Sequence, residues 1–415
     1  MKPYYHIKRE DFFLKGSVSL PSSKSICNRA LILNALAYSS YPIQNLSDCD
    51  DTDVLIKILE SNERDFDIKA AGTAMRFLTA FLSKIVGEWT ITGTERMRNR
   101  PIRLLVDALN QLGARIEYVE KEGFPPLRIF GSSLHGGEIS LAGNVSSQYI
   151  SALLMIAPLM EKGLKLNLEG TIISKPYIQL TLSLMSQYGV KAIWNGNIIS
   201  VSPQNYSPIP FTVESDWSAA SYWYELMAFA TGGEILLKGL FKNSLQGDAA
   251  GAKLFEQLGV STTFTSDGVL LKKSGQLCKK LHYNFVNEPD LAQTFVVACV
   301  GLGIPFRFTG LQSLRIKETD RIAALDNELK KLGYKLTLIK EAVIEWTGER
   351  CQAEDIPIID TYEDHRMAMA FAPLALLSKD GIRIANPEVV SKSYPRFWDD
   401  LMQNGFCLSS LNLDC

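Results

Sequence analysis

Histidine is scarce in this chain, four residues scattered over 415, which argues against a zinc site. Cysteine is more frequent but poorly arranged for metal or disulfide chemistry. The seven, at 27, 49, 278, 299, 351, 407 and 415, form no CxxC pair and are odd in number. Reduced thiols in a cytosolic protein are therefore expected rather than a disulfide framework. Neither sign of charge dominates: 43 Lys and Arg stand against 45 Asp and Glu, a formal net charge of -2. That excludes a global pull toward nucleic acid or membrane and leaves anion recognition to local clusters. The longest apolar stretches, near 294–306 and 367–377, fall short of the roughly 18–20 residues that span a bilayer. MKPYYHIKRE, at the start, has no apolar core of a signal peptide, so a cytoplasmic location is expected.

Nucleotide signatures are missing too. AGTAMRF (71–77) has a glycine but no GxxxxGK[ST], and no GxGxxG follows a strand, so neither a P-loop nor a dinucleotide site is supported. Basic residues are not interleaved with stacking aromatics in the manner of a nucleic-acid groove. What is present is 46% apolar and 21% charged residues, the balance of a globular protein. The length predicts two domains of about 200 residues.

One pattern recurs: an amphipathic helix, a glycine, then an alternating strand. It appears at 104–119, 180–195, 249–264 and 323–338, with Gly113, Gly189, Gly259 and Gly333 as left-handed helix ends. FWDDLMQNGFCLS (397–409) repeats it around Gly405, and 54–70 fits without the glycine. Six units predict two α+β domains of three units each. The proline-rich stretch at 202–216 places the main crossover near 213.

Polar residues collect where predicted helices begin: KSICNR, AGTAMRF, RMRNRPI, VSSQYIS, ISKPYI, RIKETDR, EDHRMAM and VSKSYPRF. Serines and aspartates there are ordinary N-caps. The cations are the informative residues. Lys24, Arg29, Arg100, Lys317, Arg321, Arg366 and Lys392 are expected in or near a first helical turn, where unpaired N–H groups already carry positive charge. A phosphate or carboxylate reverses the sign, because N–H groups, dipole and side chain then act together. Seven such placements point to a polyanionic small molecule. Lys317 and Arg321 also share a helix face, where like charges repel.

The set LPSSKSICNRALI, AGTAMR, RPI, SSQ, SKPYI, IKETDR and DHRMAM, in this order from about Leu20 to Phe397, resembles the 5-enolpyruvylshikimate-3-phosphate synthase family. The resemblance implies an α+β (α/β) fold: a two-domain enolpyruvyl-transferase clamp with three βαβαββ units per domain, like an inverse α/β barrel. Residues 21–213 would form the shikimate-3-phosphate lobe, and 1–20 with 214–415 the phosphoenolpyruvate lobe, with substrates held between them. It implies enolpyruvyl transfer by addition and elimination, no cofactor, no metal and a monomer. Shikimate-3-phosphate would be held by Lys24, Ser25, Arg29, Ser146, Ser147, Gln148, Ser174, Tyr177, Asp290, Ser313 and Lys317. Phosphoenolpyruvate would be held by Lys24, Gly72, Arg100, Gln148, Arg321, Arg366 and Lys392. Asp290 would serve the attacking hydroxyl, Glu318 the C3 proton, and Lys24 proton transfer and phosphate departure. Placed on a positive helix end, Arg29 should be removable at little cost to folding. The phosphonate glyphosate is implied as a candidate inhibitor.

Departures from the family pattern are Ser313 for an Asn, Leu314 for a Trp, Ala70 for an Asn, Phe77 for a Pro, and a short stretch at 61–72. Those at 313 and 314 bear on a contact to the shikimate ring, the others on the phosphoenolpyruvate loop. The related transfer to UDP-N-acetylglucosamine uses a cysteine shortly before the RP motif, and none occurs between Cys49 and Cys278. A clamp that binds anions without chemistry is opposed by the presence of both Asp290 and Glu318.

Overall fold

A computed structural model describes residues 3–410. The chain divides into two compact units, residues 22–213 and residues 1–21 with 214–415. Among the described residues the second unit carries three four-stranded sheets and the first carries two, plus a two-stranded parallel pair.

In each of the five larger sheets one pair of neighbours is parallel and the other two pairs are antiparallel. In the sheet of Asp65–Asp67, Gly87–Thr92, Leu127–Gly131 and Arg115–Tyr118, the first two strands are parallel and the rest antiparallel. A parallel neighbour needs a crossover, which the helix Gly72–Lys84 provides. Strands Gly137–Ala142 and Leu164–Glu169 repeat this with helix Ser147–Ile156, as do Leu281–Asn284 and Phe306–Thr309 with helix Ala292–Gly301. The sheet of Ile358–Ile359 and Ile382–Ala385 closes differently, taking Tyr4–Lys8 from the chain's start between Ile382–Ala385 and Cys407–Ser410.

In unit 22–213 the third sheet is only Ile43–Gln44 beside Phe211–Thr212. Helix Asp50–Glu60 ends four residues before Asp65, so no hairpin follows it. A helix and then a strand do occupy 54–70 as expected, but Asp65–Asp67 pairs with Gly87–Thr92 and so belongs to the next sheet.

Three helices of the unit formed by residues 1–21 with 214–415 are buried almost throughout. Twelve of the thirteen residues of Trp217–Phe229 are buried, nine of ten in Ala292–Gly301, and all seven in His365–Phe371. A helix apolar on every side belongs in an interior, and these pack on one another beneath their sheets. Gly113, Gly189, Gly333 and Gly405 are left-handed (φ +103, +87, +82 and +89) just beyond their helices. Gly259 differs. Helix Gly251–Glu256 has already ended, and Gly259 lies inside strand Leu258–Phe264, where the register shifts between Leu258 and Val260.

Cys27, Cys49, Cys278, Cys299 and Cys351 are free thiols. Cys407 is disulfide-bonded, which departs from the expectation of reduced cysteines throughout; Cys415 lies outside the described residues. Among the described residues no helix is long and apolar enough to cross a membrane.

Candidate active site

In unit 22–213 the polar centre is Arg29, on helix Lys24–Leu36 and 2% exposed. Its Nε donates to Thr181 Oγ1 (2.7 Å) and Nη1 to the Ser25 carbonyl (2.9 Å). Nη2 donates to Ser151 Oγ (3.1 Å) and the Tyr177 carbonyl (3.4 Å). The guanidinium also lies over the Phe77 ring, 5.3 Å from its centroid. All these partners are neutral. Burial lowers the guanidinium to about 10, still charged at neutral pH. Among the described residues four of its five N–H groups are used, leaving one on Nη1. Thr181 Oγ1 also donates to Ser151 Oγ (2.8 Å) and the Tyr177 carbonyl (3.0 Å), so both hydroxyls have a partner besides Arg29.

Other shikimate-side residues lie on or next to the helices that pack against that of Arg29. Tyr177 opens from Ser174, which is buried and left-handed (φ 54) at the start of helix Lys175–Gln187. Ser146 caps Ser147–Ile156 by accepting from the Gln148 N–H, and the Gln148 amide donates to Thr73 Oγ1 at 3.1 Å. Ser147 is the first residue of that helix. Gly72, first in its own helix, faces the guanidinium of Arg100. Lys24 pairs with Asp51 at 3.2 Å, a carboxylate from the acid-rich 48–53 stretch with no assigned role in the motif reading.

The other unit is built around Arg321, 1% exposed and first in helix Arg321–Lys331. Three carboxylates reach it: Asp364 Oδ2 at 2.7 Å from Nε, Asp290 at 3.0 Å from Nη1 and Glu318 at 2.9 Å from Nη2. Burial would lower Arg321, but Asp364, Glu318 and Asp290 outweigh it and raise the group. Asp290 also meets Arg366 (3.2 Å) and Lys317 (3.6 Å), while Glu318 meets Lys392 (3.7 Å). Burial pushes the Asp290 carboxyl up; Arg366, Lys317 and Arg321 together prevail and hold it well below the usual carboxylate range. Asp248 receives the Ser218 hydroxyl and lies near Arg366; burial, then the Asp290 charge, push it up to about 7.

Several placements differ from the motif reading. Arg29 lies in the second turn of its helix, Arg100 precedes helix Arg103–Gln111, and Lys392 ends the 3-10 turn Pro387–Lys392, where a cation is favoured. Lys317 and Glu318 precede helix Arg321–Lys331, so the shared helix face of Lys317 and Arg321 does not exist. Asp290 sits in the turn Pro289–Leu291, and its carboxylate meets Arg321, Arg366 and Lys317. Ser313, in the turn Gln312–Ile316, is partly buried, and Leu314 beside it is a core residue. Thr181, Ser151, Phe77, Asp51, Asp248, Ser218 and Asp364 were not assigned from the motifs, because each acts through a contact distant in sequence.

The family model of EPSP synthase (3-phosphoshikimate 1-carboxyvinyltransferase) matches residues 10–65 and 57–401. The chain belongs to the EPSP synthase family. It is 58% identical over 394 residues to the 3-phosphoshikimate 1-carboxyvinyltransferase of Bacteroides fragilis (strain ATCC 25285), covering 95% of this chain and 96% of that one. It is 37% identical over 422 residues to the protein of the same name from Vibrio campbellii, covering 94% and 96%. A solved EPSP synthase from Acinetobacter baumannii has the same fold, with a TM-score of 0.80 over 98% of this chain and 100% of that one at 21% identity. As an EPSP synthase family member the chain is an enzyme.

Proposed function

We propose that this enzyme transfers the enolpyruvyl group of phosphoenolpyruvate to the 5-hydroxyl of shikimate-3-phosphate and releases phosphate. The step leads toward chorismate and the aromatic amino acids. The hydroxyl attacks C2 as C3 takes a proton, giving a tetrahedral ketal phosphate; loss of phosphate and of a C3 proton leaves the enol ether. Such chemistry needs a base, an acid–base group and fixed cations for the migrating phosphate charge.

Supporting this reading is one relationship above all: Asp290 and Glu318 converge on the same guanidinium, at 3.0 and 2.9 Å. Two carboxylates oriented by one rigid fork suit two proton transfers in one reaction. Asp290 receives the hydroxyl proton, Glu318 exchanges the C3 proton, and Lys24 assists proton transfer and phosphate departure. Shikimate-3-phosphate engages Lys24, Ser25, Arg29, Ser146, Ser147, Gln148, Ser174, Tyr177, Asp290, Ser313 and Lys317. Phosphoenolpyruvate engages Lys24, Gly72, Arg100, Gln148, Arg321, Arg366 and Lys392. The enzyme works as a cytoplasmic monomer, and glyphosate competes with phosphoenolpyruvate.

The test is phosphate release on mixing the protein with phosphoenolpyruvate and each acceptor. Release only with shikimate-3-phosphate supports the reading. Release only with UDP-N-acetylglucosamine, or binding without turnover, refutes it.

A further inference from the structure

Arg321, Asp364 and Arg366 depend on an unusual piece of backbone. Tyr362 and Glu363, immediately before Asp364, are both left-handed, with φ of 53 and 55. Residues with a Cβ avoid that region, and two in succession persist only where neighbours hold them. Beyond this turn, the Asp364 N–H donates to the Thr361 carbonyl at 2.8 Å. The Asp364 carboxylate then caps the Arg366 N–H at 3.0 Å and takes Arg321 Nε at 2.7 Å.

The restraint comes from Glu328. It is fully buried, two helical turns after Arg321 on the same helix. Its Oε1 accepts the Tyr362 hydroxyl at 2.7 Å, and Oε2 accepts the Asp360 N–H at 2.9 Å and Lys331 Nζ at 2.6 Å. Lys331 extends the tie by donating to the Ile358 carbonyl at 3.0 Å. A buried carboxylate is costly unless all its neighbours are satisfied donors, as here. One helix therefore carries Arg321 at its start and, further along, the anchor of the turn that brings Asp364 to it.

We infer that Glu328, acting through the Tyr362 hydroxyl, is a positioning residue that holds the Arg321–Asp364–Arg366 group in register for phosphoenolpyruvate. The inference rests on the substrate reading above. Tyr362→Phe removes one hydroxyl and conserves the ring, so the fold is retained and thermal melting verifies it. Initial rates should show the KM for phosphoenolpyruvate rising roughly tenfold, the value of one charge-assisted hydrogen bond, with the KM for shikimate-3-phosphate unchanged. Adding Glu363→Gly, which removes the Cβ penalty at one left-handed position, should restore part of the loss. Proportionate rises in both KM values, or a phosphoenolpyruvate KM equal to wild type, would overturn the inference. Failure of the substrate reading is distinguishable, because wild-type protein would then release no phosphate from this pair.

Discussion

Gly72 and Arg100 meet at a point where no side chain fits: a Cβ on Gly72 would stand 2.6 Å from Arg100 Nη1 and 3.2 Å from Arg76 Nη1. The obstacle is the end of a flexible side chain. Gly72→Ala should therefore displace the Arg100 guanidinium while the helix remains intact. Expected is a several-fold rise in the phosphoenolpyruvate KM, about 1 kcal/mol or more in binding, with little change in melting temperature. An effect confined to the shikimate-3-phosphate KM would remove Gly72 from the phosphoenolpyruvate side.

Phe77 supplies the aromatic face beneath Arg29, and both are buried. A desolvated cation–π contact is worth about 0.5–2 kcal/mol. Phe77→Leu should raise the KM for shikimate-3-phosphate a few-fold and leave that for phosphoenolpyruvate nearly unchanged, while Phe77→Tyr should resemble wild type. Equal behaviour of Leu and Tyr at this position would show that the ring only fills space.

Asp248, buried and pushed up to about 7, binds a proton in the folded protein that the unfolded chain has released. With an unfolded value of about 3.9, its contribution to stability is present in acid and lost as pH rises from there through 7. Asp290, held low, has the opposite sign: its contribution is present at neutral pH and lost in strong acid. Urea denaturation from pH 5 to 8.5 should show stability falling, on the order of a few kcal/mol at most. Asp248→Asn should flatten that slope. An unchanged slope would place the titration elsewhere.

Glu318 touches Arg321 and Lys392 and lies outside any helix. Glu318→Gln keeps its shape but not its acid–base capacity, so kcat should fall by roughly 100-fold or more. Binding of either substrate, measured by titration calorimetry, should weaken much less. Matched losses in binding and turnover would reduce Glu318 to a binding residue.

The sequence made much of this legible because helix–glycine–strand periodicity is local: a left-handed Gly113 or Gly333 can be read beside its helix. Motif residues were also recoverable, since Asp290, Glu318 and Arg366 stand in short contiguous strings. What escaped was partnership across the chain. Nothing in KSICNR indicates that Arg29 is wrapped by Thr181 and Ser151, 152 and 122 residues away. The same holds for Asp51, 27 residues from Lys24, and for Glu328, whose partner Tyr362 follows 34 residues later. Helix bounds were the other loss: apolar periodicity does not reveal that IKET precedes its helix or that Lys392 closes a 3-10 turn.

Arg29 is a buried cation whose partners are all neutral, whereas Arg366 already shares Asp290. Equilibrium binding of shikimate-3-phosphate alone, to folded wild-type, Arg29→Gln and Arg366→Gln proteins, tests this division of labour most directly. The predicted result is a loss of about 10- to 100-fold for Arg29→Gln, from 1.5–3 kcal/mol per charge-assisted bond, and near wild-type affinity for Arg366→Gln. Undiminished binding by Arg29→Gln, or a greater loss for Arg366→Gln, would contradict it.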